Sequence, residues 1–411
     1  LRSGGRVREV IPALGIVRLE LPAGRGGDAQ ATRALAELPE VAAVEPNAIG
    51  RGGFVPTDPG FLLQWHLHNT GQTGGVPGAD IGALEGWART RGSEEIVVAI
   101  LDTGIDFAHP EFAGRLLPGF DFVNGDFDPS ADHPHGVQVA GLFGANASNG
   151  IEVAGVDHAA RILPVKVLDA DNFGFTSQLI QGLVWAADQG AHVINLSLID
   201  FPSDSDLLAA ALAYARSAGA ILVACAGNHG EGDADLSGPG SYPETISVGW
   251  TNASDGLGTA GNSSSATGAA LDLVAPGQTL VTASSTGGSF LSGCSAATPL
   301  VAGIVSLLLS VDPTLDHDEV RQVLTASAVD GIGAPALDLP GRDDAYGHGR
   351  ANLAAALQLV PEPRAGTGAA AAALGVLALR RRRHAASVIA DVAPATPRAP
   401  SRSGTTGTGT R

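Results

Sequence analysis

Between Ile96 and about Leu359, short apolar runs alternate with longer stretches whose apolar residues recur at helical spacing. The runs Ile96 to Leu101, Ile162 to Leu168, Val193 to Leu198, Ile221 to Ala224 and Ile246 to Val248 are brief and rich in β-branched residues. That is the pattern of parallel strands buried on both faces. Helical segments separate them at Gly136 to Gly144, Thr176 to Gln189, Ser205 to Ala218 and Thr298 to Ser310. Strand and helix in alternation, joined by glycine-rich connections, predict an α/β fold with a mostly parallel central sheet and helices on both faces. Sheets of this kind bind ligands at the carboxyl ends of their strands.

The flanks differ. From Arg6 to Leu21 apolar and polar positions alternate loosely, as in a half-buried strand, and a glycine-rich turn follows. Ala31 to Leu38 reads as a short helix and Val41 to Val44 as another strand, ending at Glu45-Pro46-Asn47. A unit of this size, roughly 50 residues, buries little core by itself. After Leu359 come Val360-Pro361-Glu362-Pro363, an Ala/Gly/Leu run from Ala365 to Leu379, and the cluster Arg380 to Arg383. The remainder is rich in Pro, Ser, Thr and Gly without periodicity and is expected to be disordered. The chain therefore divides into 1–53, 54–360, 361–384 and 385–411.

Composition narrows the function more than the fold. A chain of 411 residues, 44% of them apolar, is long enough for an extensively buried catalytic domain. Its net charge of −18 argues against a groove built for phosphate backbones, so nucleic acid is not an expected partner. Lys166 is the only lysine and methionine is absent, which reads as a compositional bias. No signal peptide is visible within the sequence, and one is expected to precede Leu1 if the protein is exported. Two cysteines, Cys225 and Cys294, are too few for a disulfide framework, so stability is expected from the core.

Three polar residues stand in glycine-containing turns where strands end or helices begin: Asp102 after Ile96 to Leu101, His135 before Gly136, and Ser295 after Gly293-Cys294. A serine hydroxyl attacks a carbonyl only if an imidazole removes its proton, and a buried carboxylate holds that imidazole in the right tautomer. Asp102, His135 and Ser295 supply those three roles. Each also has a plainer reading, as a turn-capping carboxylate, a loop histidine and a helix N-cap, and His133 competes with His135.

The stretch Val97-Val98-Ala99-Ile100-Leu101-Asp102-Thr103-Gly104-Ile105-Asp106, followed by His109-Pro110-Glu111-Phe112, resembles the aspartate motif of the subtilase family. In the family's order there follow His135-Gly136-Val137-Gln138-Val139-Ala140-Gly141, Ile162 to Leu168, Val193 to Leu198, Ala226-Gly227-Asn228 and Gly293-Cys294-Ser295-Ala296-Ala297-Thr298-Pro299. The likeness spans roughly Phe54 to Leu359. It implies a subtilisin-like fold, an Asp102-His135-Ser295 triad, Asn228 as side-chain donor to the oxyanion, and substrate pairing along Ser197, Leu198 and Ile199. It implies a serine endopeptidase acting on protein or peptide substrates through an acyl-enzyme, with no catalytic cofactor. Glu111, Asn149 and the backbone at Ala147, Ile151 and Val153 resemble a calcium site of many subtilases, and such oxygen ligands suit Ca2+.

Several positions depart from the family. Gln138, Cys294, Ala296, Thr298 and Leu300 are unusual, and Ile199 stands where glycine is common, so the primary specificity pocket is expected to be narrow. These departures motivate an alternative, a catalytically inactive, surface-anchored binding protein on the same fold, and an esterase is a third reading. By the resemblance, Cys225 and Cys294 flank the oxyanion hole, and they read as two buried thiols sooner than as a disulfide.

Residues 1–53 resemble the end of a subtilase propeptide, chiefly Leu35 to Asn47, which implies a folding assistant and cleft inhibitor as a partner. Val360-Pro361-Glu362-Pro363, the apolar run and Arg380 to Arg383 resemble a PEP-CTERM sorting signal, with a membrane or a sorting enzyme as partner. At about 1.5 Å per residue the run gives roughly 22 Å as a helix, short of a hydrocarbon core of about 30 Å. Arginines beyond it would stay cytoplasmic and leave the catalytic domain outside. The expected location is secreted or in the cell envelope of a bacterium.

Overall fold

The computed structural model describes residues 6–11, 15–20, 35, 38–39, 41–45, 53–230, 237–285, 287–361, 375–381 and 384–390. The chain divides into two units, Gly52–Glu362 and a smaller one made of Leu1–Arg51 with Pro363–Arg411.

In the smaller unit the alternation from Arg6 onward is resolved into two strands, not one. β1 (Arg6–Ile11) and β2 (Ile16–Glu20) pair antiparallel. The break falls at Gly15, whose φ of 64° lets the chain reverse. β3 (Val41–Glu45) lies where the third apolar run predicts it. Most of the helix expected over Ala31 to Leu38 lies outside the described residues.

In the larger unit every strand of the main sheet is parallel to its neighbours. Its members are β4 (Val97–Asp102), β5 (Phe120–Asp121), β6 (Arg161–Lys166), β7 (Val193–Leu196), β8 (Ile221–Cys225) and β9 (Ile246–Thr251). After a small hairpin of β10 (Thr259–Ala260) and β11 (Ser263–Ser264), β12 (Leu273–Pro276) completes the order β12-β9-β8-β7-β4-β6-β5. β13 (Leu280–Thr282) and β14 (Ser289–Leu291) form a separate antiparallel pair. The helices are α1 (Ala83–Trp87), α2 (His135–Gly144), α3 (Thr176–Asp188), α4 (Asp206–Ser217), α5 (Cys294–Val311), α6 (His317–Ser327) and α7 (Leu353–Leu359).

Side chains along a strand point alternately to opposite faces, and this divides the core in two. Val98 and Ile100 of β4 pack with α2, α5, α6 and α7. Ala99 and Leu101, between them, pack with α3 and α4. Both faces are therefore dry, which is why the strands read as continuous apolar runs. The chain leaves β4, passes through α2 and returns as β6 on one side of it, and α3 then carries it to β7 on the other side. The direction of winding reverses at β4, so a crevice opens beyond its carboxyl end, where Asp102 sits.

α5 begins four residues earlier than the periodicity predicts. Gly293, at φ 110°, is its N-cap, which puts Cys294 and Ser295 inside the first turn and excludes Ser295 as the cap. Pro299 has no N–H to give the carbonyl of Ser295. The Ser197 hydroxyl donates to that oxygen instead, at 3.1 Å.

Two further expectations are corrected. Cys225 and Cys294 are joined in a disulfide, their Cα atoms 5.1 Å apart. The end of β8 and the start of α5 bring them within bridging distance, a closeness that a separation of 69 residues hides in the sequence. The apolar run before the arginines is not a helix where it is described: β15 (Gly375–Arg381) pairs antiparallel with β16 (His384–Ala390), and both pair with β2. Its backbone polar groups are met by neighbouring strands, and β16 adds the β-branched Val388 and Ile389, which favour a pleated surface. The start of the expected tail, to Ala390, is thus strand, and the rest of 385–411 lies outside the described residues.

Leu307 is fully buried in α5. Leu307→Ala is expected to lower the unfolding free energy by about 2–5 kcal/mol. Urea denaturation measures it, and a loss under about 1 kcal/mol would contradict the central packing of this helix.

Candidate active site

Asp102 ends β4 with no solvent exposure. Its Oδ1 accepts the Thr103 N–H at 2.7 Å, and the two oxygens lie 2.8 and 3.0 Å from His135 Nδ1. His135 opens α2, and the turn before it is fastened from several sides. Thr103 Oγ1 donates to the His133 carbonyl and accepts the Gly136 N–H, while the His135 N–H reaches His133 Nδ1. His133 therefore supports the loop, and it is His135 that meets the carboxylate. Gly136 has no alternative here, since a Cβ would stand 2.2 Å from the Gly104 carbonyl oxygen.

Burial disfavours the imidazolium of His135, but the charge of Asp102 and its hydrogen bond outweigh that, and the pKa lies above its ordinary 6.5. A hydrogen-bonded Nδ1–H leaves Nε2 as the proton acceptor.

Ser295 shares a cleft of about 410 Å3 with His135 and Asn228. Its hydroxyl donates to the Ser197 carbonyl at 3.2 Å. Its backbone N–H belongs to the first turn of α5, where amides have no intrahelical acceptor and the helix dipole favours negative charge. Asn228 Oδ1 accepts the Cys294 N–H at 3.0 Å, which leaves the Nδ2 donor for the cleft. The disulfide joins the strand leading to Asn228 with the residue before Ser295. A developing oxyanion would meet two donors held by one short covalent path, the arrangement that stabilises tetrahedral intermediates.

Ser197, Leu198 and Ile199 line one wall of the cleft, with Asp200, Phe201 and Pro202 beyond them. Ile199 is half-buried against the core. Asp171, Asn172, Phe173 and Gly174 also line the cleft. Phe173 is 73% exposed and was not singled out in the sequence. Gln138 donates to Ser289 Oγ at 2.8 Å.

Of the expected metal ligands, the side chains of Glu111 and Asn149 meet. Glu111 is buried, and its carboxylate accepts the Val153 N–H and the Asn149 side-chain N–H. Asn149 Oδ1 accepts from the Ile151 N–H. Asp58, which the sequence reading missed because it lies far ahead of the motifs, is buried beside them and accepts the N–H groups of Ser148, Asn149 and Gly150. Burial raises the Glu111 pKa, opposed by those two hydrogen bonds and reinforced by the charges of Asp58 and Glu152. Among the described residues neither Asp58 nor Glu111 has a basic partner, and no three His, Cys, Asp or Glu side chains converge. Two buried carboxylates and an amide oxygen beside the 147–153 loop are donors of the hard oxygen kind that suits Ca2+.

A family model described as the subtilase family matches residues 93–349. A thermophilic serine proteinase of Bacillus sp. strain AK1 is 34% identical over 305 residues, covering 73% of this chain and 71% of its own. Thermitase of Thermoactinomyces vulgaris is 36% identical over 254 residues, 62% of this chain and 88% of its own. Among solved structures, a Pseudoalteromonas arctica protease superposes with a TM-score of 0.64 at 26% identity, over 75% of this chain and all of that one. A cold-adapted subtilisin-like serine proteinase gives 0.53 at 30% identity, over 62% and 88%.

NMR titration of the His135 ring is expected to give a midpoint above 6.5, and Asp102→Asn to lower it, since burial then acts without the opposing carboxylate. A midpoint that ignores the substitution would show that Asp102 does not hold the ring.

Proposed function

The chain belongs to the subtilase family and is a serine-type endopeptidase, and from that premise we propose that Asp102, His135 and Ser295 are its catalytic triad. The observation that carries this reading is the short, buried bond between Asp102 and His135 beside a serine at a helix N-terminus. The Ser295 hydroxyl adds to the carbonyl carbon of the scissile peptide while His135 Nε2 takes its proton, and Asp102 steadies the imidazolium. The carbonyl oxygen becomes an oxyanion, met by Asn228 Nδ2 and the Ser295 N–H. The C–N bond then breaks, His135 returns the proton to the leaving amine, and an acyl-enzyme remains on Ser295. Water, deprotonated by the same imidazole, hydrolyses that ester. Because the base must be neutral, activity rises with pH through the raised pKa of His135.

The substrate backbone lies along Ser197, Leu198 and Ile199, with Ile199 narrowing the primary pocket. Residues 1–53 serve as a propeptide that the mature enzyme removes. The protein is exported, a reading supported by relatives that include a cell wall-associated protease of Bacillus subtilis, and the C-terminal segment 361–384 serves as its sorting signal. The alternative of an inactive binding protein has no such support, because the departures at Gln138 and Ile199 leave the Asp102–His135 bond untouched. Asp58, Glu111, Asn149 and the carbonyls of Ala147, Ile151 and Val153 hold a structural Ca2+, whose charge answers two buried carboxylates and fixes the 147–153 loop.

A fluorophosphonate probe is expected to label Ser295 in protein freed of residues 1–53, and His135→Ala to abolish labelling. Asn228→Ala is expected to lower kcat by about 10²- to 10³-fold, the loss measured for this type of donor in subtilisin. Folded protein that neither labels nor cleaves casein would overturn the enzyme reading, and mass spectrometry of the same samples reports removal of the N-terminal segment. Chelation with EDTA is expected to lower the Tm, with recovery on adding Ca2+ but not Mg2+. An unchanged Tm across both additions would remove the calcium site.

A further inference from the structure

We infer that Lys166 is a positioning residue for the catalytic pair: its ammonium clamps the loop that carries His135 to the strand end that carries Asp102. The inference rests on the triad proposed above.

The observation begins with composition. Of the 24 Lys and Arg residues, Lys166 alone is lysine, and it is 1% exposed. A chain that otherwise uses arginine beside its histidines has its one lysine buried. An ammonium has three N–H groups, and all three are engaged. Nζ donates to the Thr103 carbonyl at 3.1 Å, to the Leu168 carbonyl at 2.7 Å and to Asp132 Oδ1 at 2.6 Å. An ammonium gathers three donors at one atom, whereas a guanidinium spreads its five over a planar fork.

These acceptors belong to three segments. Thr103 follows Asp102 directly. Leu168 lies just past β6, whose last residue, Lys166, is in register with Asp102, and the N–H groups of Val167 and Leu168 both reach the Asp102 carbonyl. Asp132 stands three positions before His135, on the loop that Thr103 Oγ1 also holds through the His133 carbonyl. The ammonium thus closes a ring of contacts whose only catalytic link is the bond from Asp102 to His135. Removing the lysine leaves two buried carbonyls without this donor and takes from the half-exposed Asp132 carboxylate the ion pair that holds it to them. The Asp132 loop is then free to draw away, and the imidazole loses its alignment.

The test uses the full-length protein, allowed to mature and normalised by active-site titration. In Lys166→Met, kcat is expected to fall about 10- to 100-fold, the scale of a misplacement of about 1 Å, while KM changes by less than about 2-fold. The acid limb of the kcat/KM profile is expected to move to lower pH as Asp102 loosens its hold on His135. The charged or titratable groups beside that ring are Asp102 on β4 and His133 on its own loop, with the Lys166–Asp132 pair behind them, while Asp171 and Asp200 line the same cleft. A purely structural role would lower the active fraction or the Tm and leave both kcat per active site and the limb in place, which overturns the inference. Should Lys166→Met fail to fold, Asp132→Asn decides: its side chain is 44% exposed, and it is expected to lower kcat and move the limb in the same sense, whereas unchanged values overturn the clamp. Failure of the triad itself is read separately, as activity surviving in His135→Ala.

Discussion

A carboxylate with no access to water survives as an anion only where hydrogen bonds replace its hydration, and Asp102 obtains them from two directions. The Thr103 N–H comes from its own strand end, and the His135 ring comes from a helix that begins 33 residues later. The second donor arrives only if β4, β6 and α2 are in register, so the position of the imidazole is set by the packing of the sheet. Thr103 makes this concrete, since its hydroxyl touches the turn before α2 at both the His133 carbonyl and the Gly136 N–H.

The Ser295 side is assembled on a different principle. A helix N-terminus supplies unpaired amides, and the glycine cap of α5 has no side chain to occupy them, while Pro299 in the second turn frees the Ser295 carbonyl. Ser197 completes the arrangement: its hydroxyl serves the carbonyl that Pro299 cannot, and its own carbonyl holds the Ser295 hydroxyl. The strand wall that would bind substrate is therefore also what holds the resting serine. Asn228 is bound to the same helix through the Cys294 N–H.

The doubly covered sheet was legible in the sequence because its strands are apolar on both faces and its connections are short. The positions of Asp102 and His135 were legible because each sits at an element boundary marked by glycine. What escaped depends on contacts between distant segments. The pairing of Cys225 with Cys294 and the arrival of Asp58 beside Glu111 leave no periodic trace. Lys166 looked like an accident of composition, and only the three converging acceptors give it a role. The start of α5 was misplaced because Thr298-Pro299 imitates a helix entry, while the true cap is a glycine with positive φ. The apolar segment before the arginines was read as helical on composition, and strand partners supplied by β2 and β16 decided otherwise.

The bridge between Cys225 and Cys294 also acts on the chain before it folds. It ties β8 to α5 across 69 positions, enclosing β9 and β12, so the denatured molecule carries a large closed ring. By chain-entropy reasoning such a ring disfavours the denatured ensemble by about 4 kcal/mol. Thiols stay reduced in most cytosols and are oxidised outside them. In a reducing compartment the protein would thus be more easily unfolded, and it would gain this topological restraint only where its thiols are oxidised.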